Sequence, residues 1–187
     1  MVKVLFVNAC VRENSRTKIL ADYLIKKLDV QVEEINLGKD KPKAFDRKML
    51  EKRDELIKNQ KFDDEMFTYA RKFAASDMII VAAPFWDLSF PALLKIFVEH
   101  INVNGIVFKY TSSSIKTLCK ASKLYYVTTM GGFNPTDYAI GQIRALCRTF
   151  YGIDDVKLIQ AEGLDVVGND VEAILNKAKK EIDQLVG

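Results

Sequence analysis

The sequence predicts an α/β fold built on a five-stranded, doubly wound parallel sheet with helices on both faces. Three observations carry this. Short apolar runs rich in β-branched residues recur along the chain, as strands buried on both faces require. Segments with helical apolar spacing separate them, so each return to the sheet is a crossover, and such crossovers are right-handed. The 187 residues, 49% of them hydrophobic, suffice for one core, and nothing suggests a second domain within 1–187.

Val2 to Val7 reads as the first strand and ends at Asn8. A polar loop from Ala9 to Arg16 follows, and Thr17 to Leu28 carries Ile19, Leu20, Tyr23, Leu24 and Leu28 at helical spacing. Val30 to Leu37 alternates Val32, Ile35 and Leu37 with Glu33 and Glu34, the pattern of a strand near the sheet edge. A charged insertion, 38–64, is expected as surface loop with one helix. Glu65 to Ala75 reads as a helix beside the third strand, Met78 to Val81, which stops at Pro84. Pro91 opens a helix where its missing N–H costs nothing, with Leu93, Leu94, Ile96, Phe97, Val98 and Ile101 forming a wide apolar arc. Leu124 to Met130 is the fourth strand, and Thr136 is the expected cap of a helix over 137–151. Val156 to Gln160 is the fifth strand, and a closing helix capped by Asn169 or Asp170 presents Val171, Ile174, Leu175, Ala178, Ile182, Leu185 and Val186. Five such units fit the flavodoxin-like order 2-1-3-4-5, whose switch point lies between strands 1 and 3. Loops 9–17, 84–90 and 131–136 would converge there.

Charge and cysteine usage exclude several classes. Twenty-eight basic residues against 25 acidic ones leave +3, spread along the chain, so no nucleic-acid footprint emerges. No basic segment followed by an apolar one opens the chain, and no run is long enough to span a bilayer, so a cytoplasmic protein is expected. Cys10, Cys119 and Cys147 fit neither a disulfide framework nor a metal site; Cys119 and Cys147 are expected to pack as small apolar groups. A lone histidine, His100, makes neither a metal site nor a triad and is expected at the surface or in a dimer contact.

The three loops suggest one ligand. In the first, Ser15 and Thr17 offer hydroxyls, Arg16 offers charge, and the following helix leaves its first N–H groups unpaired, which makes an anion site. In the second, Phe85 and Trp86 offer stacking surface to a flat aromatic group. In the third, Thr129-Met130-Gly131-Gly132 ends in two residues without side chains, permitting close backbone approach. Neither G-x-G-x-x-G nor the P-loop pattern occurs.

A competing reading uses the first loop alone. Cys10, five residues, then Arg16-Thr17 is the pattern of cysteine-dependent phosphatases, in which a low-pKa thiolate attacks phosphorus while loop amides and the arginine hold the oxygens. Against it, the general acid of that chemistry is an Asp followed by Pro, whereas the prolines here follow Lys41, Ala83, Phe90 and Asn134. The loop also lacks a glycine to wrap a phosphate tightly.

Nearly the whole chain resembles the flavodoxin-fold NAD(P)H:quinone and azo-dye reductases that bind FMN. The resemblance rests on VKVLFVNAC, APFWDLSFPALLKIFVEHI, GIVFKYT, VTTMGG and GIDDVKLIQAEG. It implies a ping-pong hydride transfer from NADH or NADPH through FMN to a quinone or azo acceptor, with no protein nucleophile and no metal. It also implies a homodimer whose partner completes each site, in agreement with the wide arc of helix 91–103. By position, Pro84, Phe85, Trp86, Asp87 and Leu88 would lie along the flavin ring, with Asp87 where the family has a neutral amide. Thr129, Met130, Gly131 and Gly132 match the second ring-binding turn; Cys10, Ser15, Arg16 and Thr17 match the phosphate loop, with Cys10 where a serine is usual. Tyr110 falls where a substrate contact would stand. A non-catalytic FMN electron carrier or redox sensor is the alternative within the same fold, and the +3 charge speaks against its acidic docking surface.

Overall fold

The computed structural model describes residues 2–187. Among the described residues seven strands occur in chain order: β1 (Val4–Asn8), β2 (Val32–Asn36), β3 (Met78–Ala82), β4 (Phe108–Tyr110), β5 (Ile115–Thr117), β6 (Lys123–Thr129) and β7 (Asp155–Ala161). Five of them form one parallel sheet in the order β2-β1-β3-β6-β7, which is 2-1-3-4-5 counted within the sheet. The other two, β4 and β5, pair antiparallel as a separate hairpin that the sequence reading did not anticipate. The helices are α1 (Arg16–Leu28), α2 (Leu37–Asp40), α3 (Arg47–Lys58), α4 (Thr68–Ala75), α5 (Ala92–Ile101), α6 (Ile140–Leu146) and α7 (Val171–Val186).

Strand pleating sorts the side chains onto two cores. Val4, Phe6, Ile80, Ala82, Tyr125 and Val127 pack with Leu20 and Leu24 of α1 and Ala178 and Ile182 of α7. Leu5, Val7, Ile79, Val81, Leu124 and Tyr126 face Phe73 of α4, Leu94, Phe97 and Ile101 of α5, and Ile143 of α6. Each fully buried aliphatic here contributes roughly 1.5–3 kcal/mol relative to exposure, so the central strands are fixed from both sides. The carboxyl ends of β1, β3, β6 and β7 are thereby held as one rigid edge.

Four expectations need correction. The insertion holds two helices, α2 and α3, instead of one, and with the following turn it builds a third cluster from Leu56, Phe67, Ala70, Val103 and Ile106. Most of the wide arc of α5 is covered within the chain: Leu94, Phe97 and Ile101 pack in the sheet's core and Val98 is buried too, while Leu93 and Ile96 stay half-buried, so the breadth of the arc does not by itself mark a dimer face. His100 is likewise buried rather than at the surface, its Nε2 2.8 Å from the Lys43 carbonyl oxygen and its ring stacked on Phe45 at 4.4 Å. Fourth, Thr136 does not cap a helix. Its hydroxyl donates to Asn134 Oδ1 (2.9 Å) and accepts from the Tyr138 amide (3.3 Å), and α6 begins only after Ala139, at φ 67°. Local side-chain bonds of this kind compete with the helix for the same backbone. The segment then leaves α-helical geometry for a π turn, Cys147–Tyr151, closed by Gly152 at φ 67°. Asp170, as expected, caps α7 by accepting from the Ala173 amide at 3.0 Å. Among the described residues no helix is long and apolar enough to cross a membrane.

Candidate functional site at the sheet's carboxyl edge

From β1 the chain crosses to β2 on one side, and from β3, on the other side of β1, it goes on toward β6, so the loops leaving β1 and β3 diverge and open a crevice. A cleft of ≈ 580 Å³ occupies it, within the ~300–1,000 Å³ usual for small-ligand sites. Residues 11–17 form one wall, Pro84, Phe85 and Trp86 the second, and Thr129, Met130 and Gly131 the third, with Leu164 and Asp165 closing the far end.

The first wall is prepared for an anion. Ser15 caps α1 by accepting from the Lys18 amide (3.3 Å), and no acid occupies the first turn. The remaining first-turn amides therefore open toward the loop without internal acceptors, and the partial positive charge of the helix end adds to them. Thr17, wholly buried, places its hydroxyl 2.6 Å from that of Thr129, which joins the first wall to the third. Sequence reasoning missed Arg12. Its guanidinium lies in the cleft 5.8 Å from the centre of the Trp86 ring and forms no ion pair among the described residues. The signal available was its place in the same polar loop as Ser15.

The second wall is anchored by its backbone: the Ala83 amide donates to Val127 O (3.0 Å) and the Phe85 amide to Thr129 O (3.0 Å). Beyond it, Trp86 and Ser89 exchange two 2.8 Å backbone hydrogen bonds around Asp87 and Leu88, both at positive φ (51° and 61°). This is the two-residue reversal in which both central residues must be left-handed. It turns Asp87 and Leu88 outward, and neither lines the cleft. Leu88 instead borders a second, smaller hollow with Ser89 and Tyr138. The expected ring contacts are thus reduced to Pro84, Phe85 and Trp86 on this wall.

The third wall is clamped from behind. Gly163, Leu164 and Asp165 donate their amides to the carbonyls of Gly132 (2.7 Å), Met130 (3.2 Å) and Gly131 (2.9 Å). A Cβ on Gly131 would stand 2.2 Å from Asp165 Oδ2, so only a glycine leaves room for that carboxylate. Gly132 has open space around it and is not among the lining residues. Asp165 was invisible to pattern reasoning, being a single acid on a loop. Arg16, which does line the cleft, reaches it: Nη1 lies 2.7 Å from Asp165 Oδ1 and donates to Leu164 O at 3.3 Å.

Cys10 is the clearest departure. Residues 4, 6, 8 and 10 share one side of β1 and its extension, so the Cys10 side chain enters the core behind the cleft. Its thiol donates toward Ala82 O at 3.7 Å, and its amide is used by Asn8 Oδ1 at 2.9 Å. Burial pushes the thiol up to about 11, beyond what the Ser15 hydrogen bond and the charge of Lys18 lower it. A group so protonated and enclosed is neither a phosphate ligand nor a nucleophile, which removes the phosphatase reading. Tyr110 stands on the β4–β5 hairpin, edge-on to Phe108 at 5.3 Å, exposed and outside the cleft lining. Cys119 and Cys147 pack in the other core, their thiols raised to about 12 chiefly by burial.

A parallel sheet in this order, with its cleft at the switch point, defines a flavodoxin-type ligand-binding protein. The family model described as flavodoxin-like fold matches residues 2–186, and the chain belongs to that family. An "FMN-dependent NADH:quinone oxidoreductase" of Coprothermobacter proteolyticus is 31% identical over 99% of this chain and 98% of its own. One of Clostridium beijerinckii, of the same name, is 36% identical over 95% and 94%. Among solved structures, an azoreductase from Bacillus anthracis superposes with a TM-score of 0.86 at 21% identity, covering 100% of this chain and 99% of that one. An FMN complex of a "FMN-dependent NADH-azoreductase" from the same species gives 0.84 at 22%, over 100% and 98%. At these identities the two structures speak for the fold.

Proposed function

We propose that this chain is an FMN-dependent oxidoreductase that uses NADH, or NADPH, to reduce a quinone or azo compound. The observation that carries it is the convergence in one cleft of an open helix N-terminus, an aromatic pair and a glycine-bearing turn. The donor set fits FMN: backbone amides of the α1 first turn, the Ser15 and Thr17 hydroxyls and the free Arg12 suit a phosphate, while Phe85 and Trp86 suit a flat ring. The names of the full-length relatives support the same reading.

When bound, FMN supplies the hydride chemistry, and the chain supplies placement. Thr17 and Thr129 hold the phosphate side and the ring side at a fixed separation through their shared hydrogen bond. Pro84 has no amide hydrogen, and the Phe85 amide is spent on Thr129 O, so the second wall presents mainly apolar surface. Gly131, which lines the cleft without a side chain, would let backbone approach the ring's polar edge. A homodimer sharing its sites belongs to the proposal, now resting on Trp86, Leu88, Phe133 and Tyr138, which are exposed on the loops that follow β3 and β6.

The test is the visible spectrum of the purified protein, then its melting with and without FMN. A yellow protein, or one stabilised by roughly 2.7 kcal/mol at a hundredfold excess over Kd, supports the reading. NADH-dependent quinone reduction with parallel double-reciprocal lines would establish the two-stroke order; FMN binding without turnover would leave an electron carrier instead. Sedimentation of the loaded protein checks the dimer.

A further inference from the structure

Arg16 carries the charge that the phosphate loop was expected to offer, yet its guanidinium is turned across the cleft. Nη1 is 2.7 Å from Asp165 Oδ1 and 3.3 Å from Leu164 O, both on the loop after β7. That loop is backbone-bonded to the turn at Met130, Gly131 and Gly132, and Met130 itself donates to Ala161 O at 3.0 Å. Asp165 Oδ2 lies against Gly131, where any Cβ would displace it. One unbroken series of contacts therefore runs from the first turn of α1, through Arg16 and Asp165, to the glycine-bearing wall. Arg12, by contrast, is free of acids in the same cleft.

We infer that Arg16 and Asp165 form a clasp that positions the glycine-bearing wall, and that Arg16 is not a ligand of the cofactor phosphate. The inference rests on the flavin reading above and assigns roles within that site. Both side chains are partly exposed, 39% and 70%, so solvent screens the pair and its effect is modest. A two- to fivefold change in affinity is expected, equivalent to about 0.4–1 kcal/mol at 1.4 kcal/mol per tenfold.

The experiment titrates FMN and riboflavin, which lacks the phosphate, into the full chain and into Arg16→Gln, Asp165→Asn and the double variant, following flavin fluorescence. Visible circular dichroism of each FMN-saturated protein reports the ring's surroundings independently. The clasp predicts that each single variant weakens both flavins two- to fivefold, that the double variant is no worse than either, and that the ring bands change alike in all three. A phosphate ligand predicts a large loss of FMN affinity in Arg16→Gln, unchanged riboflavin affinity and unchanged ring bands; that result overturns the clasp. Tighter FMN binding by Asp165→Asn, which would make Asp165 a competitor for Arg16, overturns it as well, as does no change in any variant. If the unaltered chain binds neither flavin, the flavin reading itself fails and takes the clasp with it.

Discussion

The Thr17 and Thr129 hydroxyls lie 2.6 Å apart, both buried, and tie the first turn of α1 to the end of β6. A buried hydroxyl that loses its partner keeps its desolvation cost of about 1–3 kcal/mol, whereas removing both partners together leaves nothing unpaired. Thr17→Val and Thr129→Val should each destabilise by that amount in urea unfolding, and the double variant by clearly less than their sum. Strict additivity would show that the pair does not act as a unit.

Cys10 has a pH signature. Its thiol is raised from 9.0 to about 11 by burial, so between those values the folded chain holds a proton that the unfolded chain has released. More protons bound in the folded state means stability that falls as pH rises. The contribution is whole below about pH 9 and is lost as pH climbs through about 11. Cys10→Ala should flatten the stability profile over that window relative to the parent, measured by urea melts at stepped pH. In the native state at neutral pH the thiol should also resist alkylation; rapid labelling would contradict the enclosed geometry.

The reversal at Asp87 and Leu88 holds a leucine at φ 61°. A left-handed conformation costs an ordinary residue roughly 1–2 kcal/mol, and glycine adopts it freely, though its own unfolded-state entropy offsets part of the gain. Leu88→Gly should therefore raise stability by up to about 1 kcal/mol. A loss of stability would mean that exposed Leu88 makes contacts worth more than the strain.

Asp87 invites a second measurement at the same turn. A carboxylate beside a reduced, anionic flavin would lower its potential, but this one is directed outward. Asp87→Asn should leave the midpoint potential of the bound flavin unaltered in a dye-equilibration titration. A marked rise would place the carboxylate against the ring.

Gly131→Ala is the companion test of the third wall. The three atoms nearest the new methyl all belong to the Asp165 side chain, Oδ2, Cγ (2.9 Å) and Cβ (3.1 Å), so that side chain must swing away while the fold survives. Melting should change little, while flavin affinity should fall, as in Asp165→Asn.

Much of this was legible beforehand, for identifiable reasons. Buried parallel strands leave continuous apolar runs, so Val4 to Val7 and Met78 to Val81 announced themselves, and their alternation with helices set the order of the sheet. The start of α6 was not legible, because Thr136 is as good at closing a turn with Asn134 as at capping a helix. The arc on α5 was read correctly as apolar, but Leu94, Phe97 and Ile101 are spent on the sheet's own core, and nothing in their spacing distinguishes a partner chain from the chain's own sheet. Within the site, residues on strand extensions were recoverable by parity, and counting from Val4 would have turned Cys10 inward. Asp165 was not, since a single acid on a loop becomes meaningful only when folding brings it to Arg16; Arg12 had only its place in the Ser15 loop to mark it.

The cluster of Leu56, Phe67, Ala70, Val103 and Ile106 shares no residue with either core that flanks the sheet. The segment carrying α3 contributes Leu56 to it and is thereby seated on α4 and on the chain that follows α5. None of its five buried residues lies in the cleft where the three walls meet, so changes to this outer packing reach the strand ends only indirectly, through the helices that carry Ala74 and His100.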